Sequence, residues 1–324
     1  MTNADVNAAL PRNWSVGRIG AAVLSVPPAY IGILALLAVS AFLRPALLSP
    51  TLLLLILRQA APLGLATVGQ SLTMRGLSLD LSSGGVVVAT SYILTSGYAR
   101  IGELPLLALC LVFGLAIGAL NGVLVVRLRA SAVIVTLAVS MILTGVVIAL
   151  SQYRAPGDAP DLLIAIGSSR IGIVPVAPVV WIVVLIPAAF LLRWTVFGRY
   201  LDAVGANPRA AALSGIPLTT IVFIAHVASS LTAVLAGFLL VGFVGVGSLT
   251  TGQDLPLNSL AATILGGVNF GNGRGGMLGP AVAAFMLTFL LNFLTSFGLG
   301  EPGKLMLQGA IIAVAALVYS MRQR

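Results

Sequence analysis

Apolar residues run along this chain in long blocks separated by single charges. Stretches free of Asp, Glu, Lys and Arg cover 19–43, 45–57, 59–74, 81–99, 104–126, 130–153, 171–192, 210–253, 255–273, 275–300 and 305–321. A bilayer crossing takes about 20 apolar residues, and the second and third runs join into one if Arg58 is tolerated inside a span. The pattern predicts an all-α, polytopic membrane protein of about ten transmembrane helices, built as one domain over 1–324. The first run is too long for a signal-peptide core and lacks a cleavage pattern, so it reads as a retained first helix.

Two connections are long enough to carry function. Residues 152–174 hold Pro156, Gly157, Asp158, Pro160 and Asp161, and read as an outer loop that packs as a lid or docking surface. Residues 193–218 read as an inner loop with one embedded short helix. Asn207 is a good N-cap, Pro208 suits the first turn, and Gly215 stops the helix after Ser214. A capped, mildly basic helix between two spans suits contact with something in the cytoplasm. The least lipid-like stretch within the membrane region is 69–85. There Asp80, Ser82 and Ser83 are available to cap a helix that begins near Gly84. Broken helix ends are also where transporters present backbone groups to substrates.

Composition sharpens this picture. Of 324 residues, 59% are hydrophobic and 8% charged, against about 25% charged in a soluble domain. A soluble catalytic domain, a nucleic-acid module and a disordered tail are excluded. The balance of 17 Lys+Arg against 8 Asp+Glu would suggest nucleic acid in a soluble protein. Here the cations stand singly between apolar runs, so loops on a lipid surface explain them better. The positive-inside rule then places both termini in the cytoplasm. It sets Arg75, Arg127, Arg129, Arg193, Arg199 and Arg209 inside, against Arg44, Arg154, Arg170 and Lys304 outside. Residues 1–18 become a cytoplasmic N-terminus.

Candidate chemistry is sparse. Cys110 is the single cysteine and His226 the single histidine, so neither a disulfide nor a multi-histidine metal site is expected, and no catalytic residue, metal or cofactor is assigned. Gly298 to Lys304 fits the glycine and lysine part of a P-loop, but Leu305 stands where the hydroxyl is needed and no strand precedes it. Gly271 to Gly276 matches a dinucleotide fingerprint without its βαβ unit, and a tight turn between spans uses these glycines better. His226 has no acidic residue near it in sequence between Asp202 and Asp254, which favours a helix–helix hydrogen bond over a proton relay. Arg58, with Gln59, sits inside its span and either snorkels outward or faces a polar path. Gln70, Thr73, Asn121 and Asn292 complete a set of candidate residues lining the path of a neutral solute.

Several segments resemble a known family. They are Leu57-Arg-Gln-Ala-Ala-Pro62, Gly69-Gln70, Gly76-Leu-Ser-Leu-Asp-Leu-Ser-Ser-Gly84, Asn121-Gly122 and Phe197-Gly-Arg-Tyr-Leu-Asp-Ala-Val-Gly-Ala-Asn207. Leu213-Ser-Gly-Ile216, Ala261-Ala-Thr-Ile-Leu-Gly-Gly267 and Gly273-Arg-Gly-Gly276 continue the series. In that order they look like the permease subunit of bacterial ribose/xylose/arabinose-type ABC importers. The resemblance implies a type II importer fold in the bacterial inner membrane, working as a homodimer or heterodimer of permease copies. Its implied partners are a cytoplasmic ABC ATPase subunit and a periplasmic or extracellular sugar-binding protein. It further implies that 203–216 couples to the ATPase, with Gly205, Asn207, Pro208, Arg209, Ser214 and Gly215 as the coupling residues. The family often has one Gly where Gly84-Gly85 stand, and commonly Gly-Gly-Asn where Gly205-Ala206-Asn207 stand. A branched-chain amino acid permease would share the architecture. A proton-coupled carrier would need intramembrane acids, and a membrane enzyme would need clustered His, Cys or acidic residues.

Overall fold

The computed structural model describes residues 27–97, 99, 101–152, 154, 156–268, 273, 275–300 and 302–310. The expected cytoplasmic segment 1–18, most of the last apolar run, and the loop cations Arg100 and Arg274 lie outside the described residues.

The chain forms α1 (Pro28–Leu43), α2 (Pro50–Arg75), α3 (Ser83–Thr95), α4 (Glu103–Arg127) and α5 (Ala132–Ser151). Then come α6 (Asp161–Ser168) and a hairpin of β1 (Arg170–Ile171) and antiparallel β2 (Val174–Pro175). It continues with α7 (Val176–Trp194), α8 (Val196–Ala206), α9 (Pro208–Leu213), α10 (Leu218–Val244), α11 (Leu255–Leu265) and α12 (Leu278–Thr295). Among the described residues α2, α4, α5, α7, α10 and α12 are long and apolar enough to cross a membrane. The protein is an all-α, multi-pass membrane protein.

Two apolar runs behave differently from the simple span pattern. The runs 81–99 and 255–273 hold helices of only 13 and 11 residues. At 1.5 Å per residue these reach about 20 and 17 Å, short of a hydrocarbon core of about 30 Å. Hydropathy counts apolar residues whatever their conformation. The non-helical stretches 76–82 and 245–254 precede these helices, and each carries an acid, Asp80 or Asp254.

α2 and α10 are the central pair. Their most apolar windows are 61% buried, against 17% in α5, whose exposed Ile134, Met141 and Ile142 suit a lipid face. α4 meets α10 through Gly114, Gly118 and Gly122. A methyl at 118 would lie 2.6 Å from Val227 Cα, and small residues spaced by four let helix backbones approach this closely. This contact presses Asn121 against the break between α2 and α3.

The 193–218 connection holds two helices where the sequence suggests one. Thr195 caps α8, its hydroxyl accepting from Gly198 N at 3.4 Å. Gly198, Leu201, Val204 and Gly205 form a buried stripe. Two glycines in that stripe disguise its helical period, which is why α8 reads as loop. α9 follows the sequence reading. Asn207 Oδ1 accepts from the amides of Arg209 and Ala210, each at 3.1 Å. Gly215 ends it at φ +76, with Ile216 N bonded to Ala211 O and Gly215 N to Ala212 O, both at 3.0 Å.

At the other end of the bundle, the described part of 152–174 is packed. The Glu103 carboxylate accepts from Asp161 N at 2.8 Å and Leu162 N at 3.0 Å, holding the start of α6. Gly247 N donates to Gly157 O and Ala159 N to Gly245 O, both at 3.0 Å.

Candidate functional site

The two short helices begin beside one another. The Gly85 amide, in the first turn of α3, donates to Ser140 Oγ at 3.0 Å. Ser140 stands near the middle of α5, so α3 starts deep in the bundle. A methyl at Gly84 would lie 3.1 Å from Pro256 Cγ and 3.2 Å from Gly252 O, at the start of α11. The helices then run to opposite ends of the bundle. Thr95 O at the end of α3 accepts from Gly157 N at 2.9 Å, whereas Gly266 after α11 abuts Gly279 and Pro280. Helix N-termini carry partial positive charge and unpaired amides, so this junction gathers donors in the interior.

The segment 76–82 feeds α3 into that junction. α2 ends with Ser78 N bonded to Thr73 O at 3.0 Å and Leu77 N to Met74 O at 3.1 Å. Leu77 occupies the left-handed position at φ 58, where glycine is usual. The departure costs roughly 1–2 kcal/mol for a residue with a Cβ. Ser78 Oγ pairs with His226 Nε2 at 2.7 Å. Asp80 Oδ1 accepts from Ser82 N at 2.9 Å and from Ser82 Oγ at 2.6 Å. Asn121 Nδ2 donates to Ser82 Oγ at 2.8 Å, and Leu81 N donates to Thr136 Oγ1 at 2.9 Å. Ser78, Asp80, Ser82, Asn121 and His226 are all buried.

Two sequence expectations change here. Ser82 stands at the N-cap position of α3, yet its hydroxyl serves Asp80 and Asn121 and caps nothing. His226 bonds to the break between helices and not to another helix, and Asp80 is its acidic neighbour. The carboxylate comes from a segment remote in sequence, which a search along α10 alone could not find.

Asp80 Oδ2, Ser83 Oγ, Asn121 Oδ1, Gln70 Nε2, His226 Nδ1 and Ser230 Oγ are buried without a partner among the described residues. Unpaired polar atoms are costly in an apolar interior, and their concentration around one helix break calls for a functional explanation. The set holds both donors and acceptors, nearly all uncharged, as a small hydroxyl-bearing molecule requires. Among the described residues no three His, Cys, Asp or Glu converge as a metal site would need.

The six solute-pathway candidates fall into two groups. Gln70 and Thr73 are buried in the last turns of α2, where Thr73 Oγ1 donates to Gln70 O at 3.0 Å, and Asn121 joins the break through Ser82. Arg58, Gln59 and Asn292 lie nearer the start of α2. The Arg58 guanidinium sits 4.4 Å over the Phe243 ring, a cation–π contact, beside a small cavity of about 100 Å³ that Gln59 and Pro62 also line. Asn292 Nδ2 donates to Gln59 Oε1 at 2.9 Å, joining α12 to α2. Asn292→Leu is expected to lower unfolding stability in detergent by about 0.6 kcal/mol, the usual worth of one interhelical hydrogen bond in a membrane protein. Ser78, Thr136 and Ser140 were missed, since isolated hydroxyls in apolar runs carry no local signal.

The coupling candidates also divide. Gly205 is buried, its Cα pressed against Gly273 and the Arg75 carbonyl. Asn207, Pro208, Arg209, Ser214 and Gly215 are exposed at the tip, around a Leu213 that is 91% exposed. Arg75, the last residue of α2, ion-pairs with Asp202 of α8 and donates to Gly275 O. α8 is thus tied to the end of α2, immediately before the break.

The sequence profile described as "Branched-chain amino acid transport system / permease component" matches residues 52–316. The chain belongs to this family of ABC-importer permeases. The permease is 31% identical over 300 residues to the ribose import permease protein of Escherichia coli strain K12, covering 90% of this chain and 93% of that one. It is 30% identical over 303 residues to the fructose import permease protein of Rhizobium meliloti, with 90% and 84% covered. It is 32% identical over 280 residues to the autoinducer 2 import system permease protein of Enterobacter sp. strain 638, with 84% and 79% covered. No solved structure matches the permease. Its membership makes it the membrane-spanning, non-catalytic translocation subunit of a bacterial ABC importer.

Proposed function

We propose that this permease moves a small neutral solute of the monosaccharide class inward by alternating access. The observation that carries the reading is the meeting of α3 and α11, N-terminus to N-terminus, among buried neutral donors and acceptors. Half-helices that begin inside a bundle are how transporters present backbone groups to a solute. Gln70, Thr73 and Asn121 serve the path at the break, and Arg58, Gln59 and Asn292 serve its outer part. The names of the similar ribose and fructose import permeases support a sugar. The zwitterion of a branched-chain amino acid would call for fixed countercharges of both signs, and Asp80 is the charged residue at the break.

In this reading about ten spans leave both termini in the cytoplasm. The α8–α9 segment docks on an ATPase subunit through Leu213 and Arg209, while the packed 152–174 segment receives a sugar-binding protein. A second permease copy completes the pathway. Single cysteines at Asp161 and Asn207, both exposed, test the orientation. An impermeant thiol reagent is expected to reach 161 from outside, and 207 only after permeabilisation; Cys110 is buried and stays silent. Vesicles holding the whole importer are expected to accumulate labelled ribose or fructose and not leucine. Leucine uptake alone would transfer the solute assignment to branched-chain amino acids.

A further inference from the structure

A cavity of about 510 Å³ opens where the ends of α1, α2, α7, α8 and α12 come together. Its wall carries Arg75, Arg193 and Arg199 against a single carboxylate, Asp202. Arg75 is only 6% exposed. Two of its guanidinium nitrogens are held by Asp202 and the Gly275 carbonyl, while its Nε meets no acceptor among the described residues. Arg193 and Arg199 are exposed, and neither pairs with a carboxylate among the described residues. The beginnings of α1, at Tyr30, and of α12, at Gly279, line the same space. At the start of α12 the Leu278 and Gly279 amides are first-turn donors of the kind that favour an anion, whereas Tyr30 N is already bonded to Pro27 O at 3.1 Å.

The place of the cavity narrows the ligand. It lies at helix ends, and Arg193 stands in the last turn of α7 next to Trp194, whose ring is 5.7 Å from the Arg193 guanidinium carbon. Trp194 is 65% exposed, as tryptophan at a membrane–water boundary commonly is. At that level the abundant anion is phosphate, and guanidinium forks match its oxygens in pairs. The space is several times larger than a bare phosphate, leaving room for the rest of a lipid headgroup.

We propose that this cavity binds a phosphate group, presented by an anionic phospholipid. Bound there, the phosphate joins α7 and α8 to the starts of α1 and α12. It thereby steadies the helix that carries the coupling tip.

The test uses the full chain in detergent, wild type beside Arg193→Gln/Arg199→Gln and Gly276→Glu. Gly276 lines the cavity and a methyl there meets nothing within 4 Å, so the glutamate adds negative charge without crowding. Native mass spectrometry with added phosphatidylglycerol, and melting curves with inorganic phosphate at constant ionic strength, separate the two sources. The expected result is a phosphatidylglycerol adduct on the wild type that weakens at least about tenfold in both variants, beyond the factor of a few that one exposed ion pair supplies. Stabilisation of the wild type alone by inorganic phosphate, without a lipid adduct, keeps the phosphate site and assigns free phosphate as its ligand. Equal behaviour of all three proteins toward both probes, or no binding to the wild type, overturns the proposal.

Discussion

Valine at position 205 is expected to abolish ATP-driven uptake while the bundle remains inserted. A Cβ at 205 would stand 2.5 Å from the Arg75 carbonyl oxygen and 2.8 Å from Gly273 N. These are backbone atoms and cannot swing aside as a side chain can. A β-branched residue cannot retract either, and overpacking of this kind typically costs about 1–3 kcal/mol. The cheapest relief is for α8 to back away, which parts Asp202 from Arg75. The end of α2 then loses its tie to the segment proposed to face the ATPase. The expected signature is ATP hydrolysis by the assembled importer that persists while sugar accumulation in vesicles is lost. Ala206→Val, one residue along and exposed, is the control and should transport normally. Normal uptake by the 205 variant would show that force enters the bundle by another route.

What could be read from sequence follows from how local each signal is. The apolar runs and the caps of α9 depend on residues within a few positions of each other, and Asn207, Pro208 and Gly215 stand where their chemistry predicts. α8 was lost because Gly198 and Gly205, placed there for close approach, break the apolar stripe that marks a helix. The short length of α3 and α11 is not legible because the charge-free runs 81–99 and 255–273 extend past the helices they contain. The break itself coincides with the least lipid-like stretch of the sequence. Its partners are not foreseeable: Ser78 meets His226, Ser82 meets Asn121, and Leu81 meets Thr136. The Asn121 pairing exists only once the glycines of α4 have drawn it against α10. The resemblance supplied the family, yet it could not say that Gln70 and Thr73 would lie beside the break while Gln59 and Asn292 pair elsewhere.

Asp80→Ala is expected to lose both stability and uptake, whereas Asp80→Asn keeps most of each. Alanine removes the acceptor of two buried donors, the Ser82 amide and hydroxyl. A buried donor left unsatisfied costs about 1–3 kcal/mol. Once Ser82 turns to find another partner, Asn121 loses the oxygen it donates to, so the seat of α4 on the break loosens as well. Asparagine retains the oxygen that does this work. Its amide stands where Asp80 Oδ2 has no partner among the described residues, so nothing is taken from the fold. Melting of the purified permease and sugar uptake by the assembled importer read the two effects separately. A folded asparagine variant as inactive as alanine would mean that the charge matters, and not only the oxygen. His226 then becomes the residue to change next, because its imidazole, bonded to Ser78, is the titratable group beside that carboxylate.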